Sequence, residues 1–196
     1  MILYDKDIRE PLFDFLESQY GKIRILEEKT MGRARADVVM ITEEALYGIE
    51  IKSDQDTYAR LARQVKEYNQ YYDYNYVVIG TKHAYHIEEH VPDWWGIITV
   101  EYEGDYIDFY EVRKPTRNPK INLKKQITIL WRPELAHLQE RNQLPKYKEK
   151  SKAFVQAKLL EKVDEETLHK QLLETLFERD YTTIQEAIDA YKKKRR

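Results

Sequence analysis

A chain of 196 residues, 42% hydrophobic and 35% charged, has the composition of one soluble α/β domain with a small extension and leaves no room for two independent enzymes. It has no cysteine, which excludes disulfides, thiolate nucleophiles and cysteine-bound zinc; with no apolar run of membrane-spanning length and no signal-peptide pattern at the N-terminus, a cytoplasmic location is expected. The formal net charge of −2 conceals two opposite parts: residues 1–111 carry 12 basic against 23 acidic side chains, and residues 112–196 carry 21 against 12.

In chain order, Ile8, Leu12, Phe15, Leu16 and Gln19 stand at helical spacing, with Asp5 or Asp7 as a cap and Gly21 as a stop, which predicts an amphipathic first helix. Three short runs rich in β-branched residues follow, over 22–28, 35–41 and 46–52, the last two joined by the turn-like Thr42-Glu43-Glu44-Ala45; they predict a strand meander. From residue 57 to about 73, Leu61, Gln64, Val65, Tyr68 and Tyr72 return to helical spacing, and Tyr76-Val77-Val78-Ile79-Gly80 reads as a short buried strand of the parallel kind. A further helix is expected over 82–90, stopped by Pro92, then strands over 96–102 and 105–112. After the turn-rich Lys114-Pro115-Thr116-Arg117-Asn118-Pro119 only helical patterns remain: from 123 to about 131, then 133–142, 150–162, 164–178 and 183–194. The expected division is therefore a core over 1–112 and a basic helical region over 113–196.

The chemistry centres on Leu46-Tyr47-Gly48-Ile49-Glu50-Ile51-Lys52, where a period of two puts Ile49 and Ile51 on one face and Glu50 with Lys52 on the other. Asp37 opens the preceding strand, whose later residues are apolar on both faces, an expensive setting for an unpaired carboxylate. If these two strands form a hairpin, Asp37 reaches the sheet end of Glu50, and a cation between them relieves their repulsion. Hard oxygen ligands with no neighbouring histidine or cysteine point to Mg2+ or Mn2+, with the Ile51 carbonyl as a further ligand and Lys52 to orient a water and stabilise a pentacovalent transition state.

With Asp37, twelve intervening residues and Glu50-Ile51-Lys52, inside an αβββαβ order, the sequence resembles the PD-(D/E)XK (restriction-endonuclease-like) nuclease superfamily. Gln64-Val65-Lys66-Glu67-Tyr68 adds a QxxxY spacing that resembles the superfamily's recombination-exonuclease branch, and i, i+4 puts both side chains on one helical face. The resemblance extends to a group of bacterial and phage proteins of this length, through Gly32-Arg33-Ala34-Arg35-Ala36-Asp37, Tyr47 to Asp54, Arg60 to Gln64, Pro92 to Ile97 and Asn118-Pro119. It implies an α/β fold with a mixed central sheet flanked by helices and a helical C-terminal extension. It also implies a Mg2+-dependent (or Mn2+-dependent) nuclease in DNA repair, restriction or phage processing. Catalysis would fall to Asp37, Glu50, Lys52, Gln64 and Tyr68, and the metal to Glu10, Asp37, Glu50 and Ile51. The proline that precedes the motif aspartate in many members is Ala36 here.

Arg33, Arg35, Arg60 and Arg63 flank these motifs and are candidates to hold nucleic-acid phosphates, pairing with nearby acids being the alternative. Seven basic residues without an acid from Arg113 to Arg132, and Lys192 to Arg196 at the end, fit contact with a phosphate backbone, DNA before RNA; a homodimer is open. His83, His86 and His90 stand at i, i+3 and i+7, which suits a solvated helix face better than a metal site. Trp94, Trp95, Trp131 and most of the 16 tyrosines read as packing. The rival from another class is an inactive nucleic-acid-binding or assembly module with the same fold.

Overall fold

In the computed structural model, which describes residues 3–31, 34–80, 84–104 and 106–179, the first predicted helix is α1 (Asp5–Tyr20). Ile8, Leu12 and Leu16 form its buried stripe. Asp5 and Asp7 lie in the first turn, where their charge complements the helix dipole, and Asp7 accepts the Tyr4 amide at 3.1 Å. Gly21 ends the helix at φ +72°, a left-handed conformation that suits glycine, and donates to the Glu17 carbonyl.

Six strands make one sheet in chain order: β1 (Arg24–Met31), β2 (Ala34–Ile41), β3 (Leu46–Lys52), β4 (Tyr74–Gly80), β5 (Gly96–Glu103) and β6 (Tyr106–Arg113). The first three pair antiparallel, β3, β4 and β5 run parallel, and β6 returns antiparallel, so the sheet is mixed. The β2–β3 turn is held by Thr42, whose hydroxyl accepts the amides of Glu44 and Ala45. Between β3 and β4 the chain crosses through a 3-10 turn (Tyr58–Arg60) and α2 (Leu61–Tyr71), which gives the expected αβββαβ order.

The helix expected over 82–90 is replaced, in described residues 84–90, by turns and a single 3-10 turn, Ile87–Glu89. In that stretch only Ile87 is buried, so there is no apolar stripe to hold a helix against the core. Past β6, α3 (Leu123–Gln126) gives way to a 3-10 turn (Ile127–Ile129), short of the predicted end at 131. Then come α4 (Arg132–Arg141), α5 (Lys152–Lys162) and α6 (Glu165–Phe177), with Ser151 and Asp164 capping the last two. The predicted helix over 183–194 and the basic run Lys192 to Arg196 lie outside the described residues. Among those described, no helix is long and apolar enough to cross a membrane.

The sheet separates two apolar clusters. On one face Val38, Met40, Ile49, Ile51, Val78 and Val100 pack under α1. On the other, Val39, Ile41, Val77 and Ile79 pack under α2 together with Leu135, Leu138, Leu159, Leu168 and Leu172 of the later helices. The result is three layers: α1, the sheet, and α2 with the C-terminal helices.

Gly48 shows how tightly the second face is packed. A Cβ there would sit 2.2 Å from Cδ2 of Tyr72, inside the ring's own volume. Gly48→Ala is expected to destabilise the protein by about 1–3 kcal/mol. In thermal denaturation that is a drop of several degrees, at roughly 2–4 °C per kcal/mol for a chain of this size.

Candidate active site

Because Ile49 and Ile51 face α1, Glu50 and Lys52 face α2, as the period of two requires. Both are buried, Glu50 to 1% exposure and Lys52 to 5%, which is tolerable only if their charges are paired and hydrogen-bonded. They are. Lys52 Nζ lies 2.5 Å from Glu50 Oε1 and donates to Gln64 Oε1 at 3.1 Å. The Gln64 amide nitrogen donates to the same Glu50 oxygen, and the Tyr68 hydroxyl donates to Glu50 Oε2 at 2.7 Å. Gln64 and Tyr68, one turn apart on α2, thus grip the two oxygens of one carboxylate.

Asp37 completes the group from β2. The β2–β3 ladder stops at Val38 opposite Ile49, so Asp37 comes next in line opposite Glu50. Instead of continuing the ladder, its carboxylate accepts the Ile51 amide at 2.9 Å, satisfying a main-chain donor that β2 leaves free. In a strand the amide and carbonyl of one residue leave on the same edge, so the Ile51 carbonyl also belongs to the Asp37 side of β3. The Asp37 amide in turn lies 3.3 Å from the Tyr68 hydroxyl.

Burial, and then the neighbouring charge of Glu50, push the Asp37 carboxyl up to about 7; the Ile51 amide and Lys52 act the other way without prevailing. Burial also holds the Tyr68 hydroxyl well above its ordinary range, with Glu50 and Asp37 adding to the effect, so Tyr68 is a neutral hydrogen-bond donor here. Two carboxylates of which one is pushed towards its protonated form are a fitting place for a divalent cation.

The α1 contribution differs from the one expected. Glu10 is exposed, whereas Asp5 is the α1 acid whose charge helps raise Asp37, and its Oδ1 is buried without a hydrogen-bond partner. Arg9, one turn further on, binds Asp5 at 2.7 Å, Glu27 at 3.1 Å and the Asp37 carbonyl at 3.1 Å, fixing α1 to β1 and β2 beside the site. Neither Asp5 nor Arg9 was singled out as a site residue in the sequence, although the signal was there. At about 100° per residue, Asp5 and Arg9 fall along the Ile8-Leu12-Leu16 stripe and Glu10 on the opposite side of the helix.

Arg35, Arg60 and Arg63 are exposed, and Arg33 lies outside the described residues. His83 is also outside them; His86 faces Glu89 at 3.5 Å and His90 packs on the Tyr58 ring. Trp94 and Trp95 both donate to Asn69 Oδ1, and Arg179 covers Trp131, so the three indoles are occupied within the protein. Among the described residues no three His, Asp or Glu side chains cluster as a ready metal cage, so an ion here would keep waters or take substrate oxygens beside Asp37 and Glu50. A second buried carboxylate, Asp73, lies elsewhere: it accepts the Leu46 amide at 2.8 Å and faces His169 Nε2 at 3.0 Å, a pairing across 96 positions that no local pattern announces.

The family model described as bacteriophage P4 protein cII matches residues 2–195. Among curated proteins there is no match. Among solved structures, SfsA of Pyrococcus furiosus in complex with Ca2+ is similar at 13% identity and a TM-score of 0.35, over 60% of this chain and 63% of that one, less than two thirds of its length.

Proposed function

The chain belongs to the family of bacteriophage P4 protein cII, and for it we propose the activity of a divalent-metal-dependent nuclease of the PD-(D/E)XK type, hydrolysing phosphodiester bonds of DNA, with RNA as the other substrate open to it. The observation that carries the reading is the convergence of Asp37, Glu50 and Lys52 at one sheet end, with Asp37 pushed up to about 7 and Gln64 and Tyr68 holding the Glu50 carboxylate. A buried Glu50–Lys52 pair beside a second carboxylate is costly to keep for packing alone.

In this reading Asp37, Glu50 and the Ile51 carbonyl would hold Mg2+ or Mn2+. When bound, such an ion supplies a more acidic water and offsets phosphate charge. Lys52, whose ammonium lies beside Glu50, would orient the attacking water and offset charge on the phosphate oxygens. Gln64 and Tyr68 keep the Glu50 oxygens oriented. Asp5, with its unpartnered buried oxygen, takes the auxiliary role expected of Glu10. Arg60 and Arg63, exposed at the start of the helix that carries Gln64, would contact the phosphate backbone. Repair, restriction and phage processing all suit such an enzyme.

One observation favours the rival reading, an inactive nucleic-acid-binding or assembly module. Both Glu50 oxygens already have partners within the protein. Calorimetric titration separates the two, since the module takes up no divalent ion yet binds DNA with strong salt dependence. The direct test is to incubate the purified chain with supercoiled plasmid, single-stranded DNA and RNA in Mg2+ or Mn2+. Cleavage that stops on chelation is expected; no cleavage of any of the three with either ion would remove the proposal.

A further inference from the structure

A deep cleft among the described residues lies away from Asp37. It has a volume of about 1040 Å³ and opens at the other end of the parallel strands, where β3 and β4 begin. Tyr47 and Tyr74, stacked at 4.9 Å between ring centres, line it from the sheet. The β2–β3 turn forms one wall and the first turn of α6 another.

The charge of this cleft is opposite to what a nucleic acid needs. Glu43 and Glu44 project from the turn, and Glu165 and Glu166 from α6; all four are exposed, and none enters an ion pair among the described residues. Lys22 lies over the Phe177 ring, and His169 is hydrogen-bonded to Asp73. Lys22 and Arg117 together do not balance four carboxylates. Nor does the start of α6 recruit phosphate, because Glu165 and Glu166 already complement its dipole and Asp164 caps it.

A second, independent observation lies deeper. Gln126 lines the cleft at 1% exposure, and its Nε2 has no hydrogen-bond partner. A buried amide without an acceptor is costly, and a carbonyl entering the cleft would relieve it. A ligand that satisfies both features carries cationic side chains for the glutamates and main-chain carbonyls for Gln126. A phosphate polymer lacks the cations and would be repelled by the acids, and a simple polyamine lacks the carbonyls.

We infer that this cleft is a docking site for a lysine- and arginine-rich peptide segment of a partner protein. Its charge chooses the partner, and Gln126 together with the tyrosines fixes the depth at which the segment lies.

The experiment is fluorescence anisotropy of the full chain with a labelled synthetic peptide of alternating lysine, arginine and alanine. Binding is expected to weaken about five-fold in a Glu165→Gln, Glu166→Gln double variant, as two exposed ion pairs are lost. It should also weaken in Gln126→Leu, which removes an unsatisfied donor and so leaves the fold at least as stable. Asp37→Asn, at the far end of the strands, should bind the peptide as the parent chain does, and the glutamine variants should keep any nuclease activity, so the two proposals fail separately. Equal affinity in parent and variants, or no binding at all, would each overturn the inference.

Discussion

Replacing Lys52 by methionine is expected to reduce metal-dependent cleavage on the order of 10²–10³-fold, the usual loss when one charged group aimed at the reacting phosphate is removed. The same change has a structural signature that activity assays do not read. Lys52 sits 2.5 Å from a Glu50 carboxylate that is 1% exposed, and taking away one member of a buried pair leaves the other charge uncompensated, at about 3–5 kcal/mol. Gln64 and Tyr68 still bind Glu50, so the lower end of that range applies. In metal-free buffer the variant should melt roughly 10 °C below the parent chain, taking 2–4 °C per kcal/mol. Adding Mg2+ should recover much of the difference, because an ion can replace the lost ammonium. A double variant, Lys52→Met with Glu50→Gln, should regain stability and stay inactive, since removing both charges avoids the unpaired one. If Lys52→Met cleaves as well as the parent chain, the catalytic assignment of this lysine is wrong.

The second large effect is one of pH. Burial and the neighbouring charge of Glu50 push the Asp37 carboxyl from the ordinary 3.8 up to about 7 in the folded chain. Between those values the folded state keeps a proton that the unfolded chain has lost, so stability falls as pH rises. The contribution from Asp37 is fully present below about pH 4 and gone above the folded value. At 1.36 kcal/mol per unit its span is on the order of 4 kcal/mol. A divalent ion binds the ionised form, so its stabilising effect should grow over the same window. Melting temperatures measured at pH 5.5 and pH 8, with and without Mg2+, give the test. The metal-free chain should melt lower at pH 8, Mg2+ should raise it there and do little at pH 5.5, and Asp37→Asn should flatten both dependences. A melting temperature at pH 8 that is indifferent to Mg2+ and Mn2+ would remove the metal from the proposal.

Much of the site was legible because it is written in local periods. Alternation along β3 puts Glu50 beside Lys52, and one helical turn puts Gln64 beside Tyr68; neither relation depends on the rest of the fold. Asp37 was found by a cost argument, since a carboxylate at the head of a strand apolar on both faces needs a reason to be there. On α1 the structure leaves Glu10 exposed, while Asp5 lies on the side whose charge reaches Asp37. The described stretch 84–90 departs from the expected helix for a different reason. Its turn-length spacing looked helical, yet a single buried residue, Ile87, gives it nothing to pack.

The amino-acid order by itself determined most of the elements and which face their side chains take, because backbone sterics and the periods of 2 and 3.6 act over a few residues. Which elements become neighbours was decided only in three dimensions. The Arg9 guanidinium on the Asp37 carbonyl, the partnership of Asp73 with His169, and an acidic cleft assembled from a turn, two strand ends and the start of α6 join segments far apart in the chain. Such contacts follow from burying two sheet faces at once, a demand on the whole chain that no short stretch of it contains.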